Sequence, residues 1–118
     1  MTTEACYRAM GADYSEVIRR FATEERVRRF LVKVPDDPNY RTLAGALEAQ
    51  DFETAFRAAH SLKGVCLNLG LGRLAESSAA LTEALRSGAP SPDYAALFER
   101  LRQDYERTIE SIGALDPA

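Results

Sequence analysis

The chain has 118 residues, a formal net charge of -3 and a pI near 5.2, which is the length of one domain with no basic excess to attract nucleic acid. Hydrophobic residues make up 46% and tryptophan is absent, and no stretch shows the Val-, Ile- and Thr-rich alternation of strands, so the composition points to an all-helical globule. No apolar run approaches the ~20 residues of a membrane span, and Met1 to Cys6 carries neither the basic nor the apolar region of a signal peptide, so the expected location is the cytoplasm. There Cys6 and Cys66 would be thiols, and their separation matches no metal-ligand spacing.

Residues 3–10 read as a short helix closed by Gly11. Asp13, three residues before Glu16, has the spacing of a helix cap, and Tyr14, Val17, Ile18 and Phe21 recur at i, i+3, i+4 and i+7 in a second short helix. Thr23 caps a third, with Glu24 and Glu25 at the positive end of its dipole and Val27, Phe30, Leu31 and Val34 on one face. Pro35-Asp36-Asp37-Pro38 interrupts it. Helix resumes from Tyr40 to Ala49, with Leu43, Ala44 and Leu47 inward, and Gln50 and Asp51 turn the chain.

Asp51 caps the next helix, which runs to about Leu69, where Gly70 suits the left-handed conformation that closes helices. Gly72 loosens the corner further. A helix with Leu74, Ser78, Leu81 and Leu85 on one stripe follows, packs antiparallel on its predecessor and ends at Gly88. Ser91-Pro92-Asp93 reads as cap, first-turn proline and first-turn acid. The last helix presents Tyr94, Phe98, Leu101, Tyr105, Ile109 and Ile112 on one face, and Gly113 to Ala118 reads as a frayed tail. The expected architecture is one domain over 1–118: an antiparallel four-helix bundle with short N-terminal helices within 1–50, the remaining bundle helices in 51–112 and a tail over 113–118.

The stretch from Ala59 to Gly70 holds the single histidine. At about 100° per residue, Phe52, Ala55, Ala59, Leu62, Cys66 and Leu69 form a core stripe, while Phe56, Lys63, Gly64 and Leu67 fall beside His60 on the flank. Cys66 reads as a small core residue. A glycine inside a helix costs roughly 0.5–1 kcal/mol relative to alanine, so Gly64 one turn from His60 points to a need for room. Lys63 offers a positive charge to steady an anion on the ring.

His60-x-x-Lys63-Gly64 followed by Gly70, with a turn leading into the histidine helix and a leucine-rich helix after it, resembles the histidine-containing phosphotransfer (HPt) domains of bacterial phosphorelays. The resemblance implies that His60 accepts a phosphoryl group from an aspartyl phosphate of a response-regulator receiver domain and passes it on. It also implies exchange with a hybrid sensor histidine kinase. The receiver would bring Mg²⁺, and this chain would bind no cofactor or metal of its own. A neutral, accessible imidazole keeps one ring nitrogen nucleophilic without a separate base.

Phe56, Arg57 and Leu67 are candidates for receiver docking, with burial under the N-terminal helices as the alternative for Phe56 and Leu67. Arg57 and Arg73 read as solvated charges that could add to the field near His60. Many HPt domains orient the imidazole with a glutamine on the facing helix. Here residues 77–82 offer hydroxyls, so Ser78 and Thr82 become the candidate orienters.

The leading expectation is a monomeric phosphoryl carrier without catalysis of its own, binding neither nucleic acid nor membrane. The alternative is a non-phosphorylated HPt-like adaptor that regulates a receiver or kinase by binding. A histidine kinase would need an ATP-binding domain, for which 118 residues of helix leave no space. A metal-binding bundle would need more than one histidine without a carboxylate pair on its face.

Overall fold

The computed structural model describes residues 1–117. Its helices are α1 (Thr3–Met10), α2 (Tyr14–Phe21), α3 (Glu24–Leu31), α4 (Asn39–Glu48), α5 (Phe52–Asn68), α6 (Gly72–Leu85) and α7 (Tyr94–Gly113), with single 3-10 turns at Val34–Asp36 and Arg86–Gly88. No strand occurs among the described residues. The fold is the expected all-α bundle: α5 lies between α4 and α6, and α6 lies against α7. Tyr40 of α4 closes the ring by stacking on Tyr105 of α7, centroids 3.9 Å apart and planes 4° apart.

The caps form where the polar residues stand. Asp13 accepts from the Glu16 amide, Thr23 from the Arg26 amide and Asp51 from the Thr54 amide, each at 3.2 Å. Each carboxylate or hydroxyl thereby satisfies an amide that the first helical turn leaves unpaired. The core is the set of apolar stripes meeting inside: Leu31, Leu43, Ala55, Ala59, Leu62, Cys66, Leu74, Leu81, Leu85 and Leu101 are all buried. Burying one leucine of this kind stabilises the fold by about 1.5–3 kcal/mol.

The short helices gather at the end where α5 finishes. The Tyr7 hydroxyl of α1 donates to the Leu69 carbonyl at 2.7 Å, a buried bond. Arg20 of α2 donates through Nη1 to the carbonyls of Leu67, at 2.8 Å, and Asn68. It satisfies last-turn carbonyls and places a positive charge at the negative end of α5.

Several details differ from the sequence expectation. Phe30 turns outward, 39% exposed, with its ring 5.1 Å from Phe21 and under the Lys33 ammonium; Val27, Leu31 and Val34 fill that core face without it. In α4, Ala46 is buried and Ala44 only half-buried. Helix α6 ends at Leu85, three residues before Gly88, and Ser87 just beyond it is left-handed (φ 71°). Helix α7 starts at Tyr94 because the Ser91 amide is held by the Ala84 carbonyl and the Ser91 carbonyl accepts from Tyr94, so Ser91-Pro92-Asp93 forms the turn before the helix. The tail is pinned as far as Asp116: the amino terminus donates to the Ala114 carbonyl at 2.7 Å and pairs with the Asp116 carboxylate at 2.6 Å, and the Asp116 amide returns a bond to Met1.

Candidate functional site

Helix α5 divides into two faces. Ala55, Ala58, Ala59, Leu62 and Cys66 are buried against α4 and α6, and burial pushes the Cys66 thiol up to about 12. That thiol is a core side chain. On the opposite face His60, Gly64 and Leu67 are exposed, with Phe56 and Lys63 half-buried. Leu67 is 55% exposed, so it lies outside the N-terminal helices and is free to meet a partner. An exposed leucine alone needs no explanation, but this one continues the strip that carries the histidine.

Two glycines frame this face for different reasons. A side chain added at Gly64 would meet no atom within 4 Å, so nothing in the chain itself demands a glycine there. Gly70 has φ +68°, and a Cβ there would lie 3.2 Å from the Asp13 carbonyl oxygen and 3.4 Å from Val17. Around it the Leu71 amide donates to the Cys66 carbonyl and the Gly70 amide to that of Leu67, the two bonds of a Schellman closure. Gly70 therefore serves the fold.

The imidazole has an aromatic neighbour on its own helix. The Phe56 ring, one turn earlier, lies 6.2 Å from the His60 ring with planes 10° apart. The guanidinium of Arg86, just past the end of α6, sits 5.3 Å from the Phe56 centroid. Arg86 in turn donates to both carboxylate oxygens of Glu83, at 3.1 and 2.6 Å. Those bonds, with a smaller contribution from Lys63, hold the Glu83 carboxyl below its ordinary range. Lys63 and Leu67 line an open groove with Gly72, Ala75, Glu76 and Ala79 of α6. Arg86 escaped sequence reasoning because its sequence distance from His60 gives no sign of the contact.

The candidate orienters do not meet the imidazole. The Thr82 hydroxyl is buried and donates to the Ser78 carbonyl of its own helix at 2.7 Å. The Ser78 hydroxyl is buried without a partner. Both sit on the inward stripe of α6, whereas His60 faces out. Arg57 is drawn along its own helix to Glu53 at 3.0 Å, and the Arg73 guanidinium packs beside Gly11. Among the described residues no three His, Cys, Asp or Glu side chains come together as a metal site, and no helix is long and apolar enough to cross a membrane.

Residues 27–111 match the family described as the Hpt domain. The match takes in α4 to α6 and nearly all of α7, with the histidine helix inside it, so the chain belongs to the Hpt domain family. Comparison with curated proteins and with solved structures found no match. Family membership brings a phosphotransfer-type function in phosphorelays, as a phosphocarrier that deals with receiver domains and kinases.

Proposed function

We propose that His60 carries the phosphoryl group, taking it from the aspartyl phosphate of one response-regulator receiver domain and giving it to another. The observation that carries this reading is the exposed face of α5, where the single histidine stands beside a lysine and a glycine that the chain itself does not require. In the forward step an imidazole nitrogen attacks phosphorus, the N–P bond forms, and the P–O bond to the receiver aspartate breaks. The aspartate leaves as a carboxylate. The proton on the other ring nitrogen is free to depart to solvent. Reversal on a second receiver regenerates the imidazole.

Lys63 is the charge that steadies the phosphoryl group, since a phosphorylated residue carries about two negative charges near neutral pH. Gly64 leaves room for the receiver's backbone over the helix. Leu67 and Phe56 supply apolar contact and Arg57 a charge at the rim. The receiver brings Mg²⁺ and the carboxylates that hold it, so the chemistry is completed only in the complex. A monomer in the cytoplasm suits a carrier that must show one face to successive partners.

Incubation with a phosphorylated receiver and Mg²⁺ tests this. Acid-labile, base-stable label on the wild type and none on His60→Gln is the expected result. A receiver that binds both proteins and labels neither would replace the carrier with an adaptor.

A further inference from the structure

The bundle leaves the imidazole without the hydrogen bond from α6 that Ser78 or Thr82 would have offered, since one hydroxyl is committed to its own helix and the other is buried away from the surface. An accessible histidine with no such restraint rotates among its rotamers, and each rotamer aims the ring nitrogens differently. Reactive geometry tolerates little of that freedom, because a displacement of about 1 Å can cost on the order of 100-fold in rate. Something else on this face must narrow the choice.

The contacts form a chain. Glu83, on the last turn of α6, grips Arg86 through two hydrogen bonds. Arg86 lies over the ring of Phe56 at 5.3 Å, within the distance at which a cation is attracted to an aromatic face. Phe56 lies alongside His60 at 6.2 Å and 10°, an offset parallel arrangement of the kind aromatic pairs favour, between residues four apart on one helix. Each member restrains the next. The one-turn 3-10 segment Arg86–Gly88 packs against α5, and this packing brings the guanidinium across.

We propose that Glu83 and Arg86 position the His60 imidazole through the ring of Phe56, so that an ion pair at the C-terminal end of α6 does by stacking what a hydrogen-bonding side chain on that helix would do directly. The inference rests on His60 being the phosphoryl acceptor. It makes Phe56, Arg86 and Glu83 positioning residues, none of which exchanges a bond with phosphorus. It also gives Phe56 a role in the unbound protein, separate from receiver docking.

The test needs no receiver. Because the chain has one histidine, its imidazole resonances are unambiguous in ¹⁵N-edited NMR. Wild type should show cross-relaxation between the His60 and Phe56 ring protons and an upfield ring-current displacement of the imidazole protons. Arg86→Ala and Glu83→Gln should weaken both, with helicity and melting temperature near wild type, and Phe56→Tyr should retain them.

Phosphoramidate then serves as a partner-free donor: the N–P bond to His60 forms as the bond to ammonia breaks, and ammonia leaves with the proton. Labelling should slow about two- to fivefold in Arg86→Ala and in Phe56→Leu, the range expected for an exposed cation–aromatic contact. Phe56→Leu keeps the Arg86 charge, so slowing there separates positioning from attraction of the anionic donor, and Phe56→Tyr should restore the rate. Ring contacts absent from the wild type, or unchanged in Arg86→Ala together with unchanged labelling, would overturn the proposal. If phosphoramidate labels no protein at His60, the carrier reading fails while the NMR comparison still decides the positioning claim.

Discussion

Gly64 and Gly70 lie six positions apart in sequence, and they teach opposite lessons. Gly70 is hemmed in by its own chain: its backbone is left-handed, and the Asp13 carbonyl and Val17 occupy the space a side chain would take. Gly64 is helical and faces open space. The first is explained by folding. The second weakens the helix by roughly 0.5–1 kcal/mol relative to alanine and receives nothing from the fold in return, which supports the proposal that a partner approaches the helix beside His60. The same division separates the two faces of α5, one packed with Ala55, Ala59, Leu62 and Cys66 and the other carrying His60 and Leu67 in the open with Lys63 half-buried beside them.

Substitutions at the two glycines and around them should separate the two explanations. Gly70→Ala should have the largest effect on stability, about 1–2 kcal/mol from the left-handed backbone alone, with more added as Asp13 and Val17 shift. The melting temperature should fall by several degrees or more. Tyr7→Phe removes the buried donor to the Leu69 carbonyl at the same corner and should cost about 1 kcal/mol, read from the urea midpoint. Gly64→Ala should go the other way, stabilising the protein by about 0.5–1 kcal/mol while slowing phosphoryl exchange with a receiver about tenfold or more. Labelling of that variant by phosphoramidate should remain near wild type, because the small donor does not need the room. A Gly64→Ala protein that is both more stable and fully active with receivers would end the claim that this glycine serves a partner.

Much of this was legible in the sequence because it depends on short-range rules. The caps at Asp13, Thr23 and Asp51 follow from polar side chains standing just before periodic apolar stripes, and the closure at Gly70 follows from glycine's tolerance of positive φ. The division of α5 into two faces follows from helical periodicity alone. Other features depend on residues far apart in the chain. Arg20 reaches the carbonyls of Leu67 and Asn68, Met1 pins Ala114 and Asp116, and Arg86 crosses to Phe56; no local pattern marks any of these.

Ser78 and Thr82 show a different limit. Their positions opposite the histidine helix made them reasonable orienters, but the stripe that carries Leu74, Leu81 and Leu85 inward carries these two hydroxyls inward as well. Phe30 shows the converse. Its spacing fits the core face of α3, yet Val27, Leu31 and Val34 fill that face and leave the larger ring outside.

If His60 is a way station for phosphate, a chase experiment will show the group passing through it. Wild-type protein carrying the phosphoryl group is freed of donor and mixed with a fresh, unphosphorylated receiver and Mg²⁺. The label should leave His60 and reappear on the receiver with the base lability of an acyl phosphate, much faster than it is lost to inorganic phosphate without receiver. Label that stays on the protein, or that is released to water at the same rate with and without receivers, would mean that His60 does not pass phosphate to a receiver.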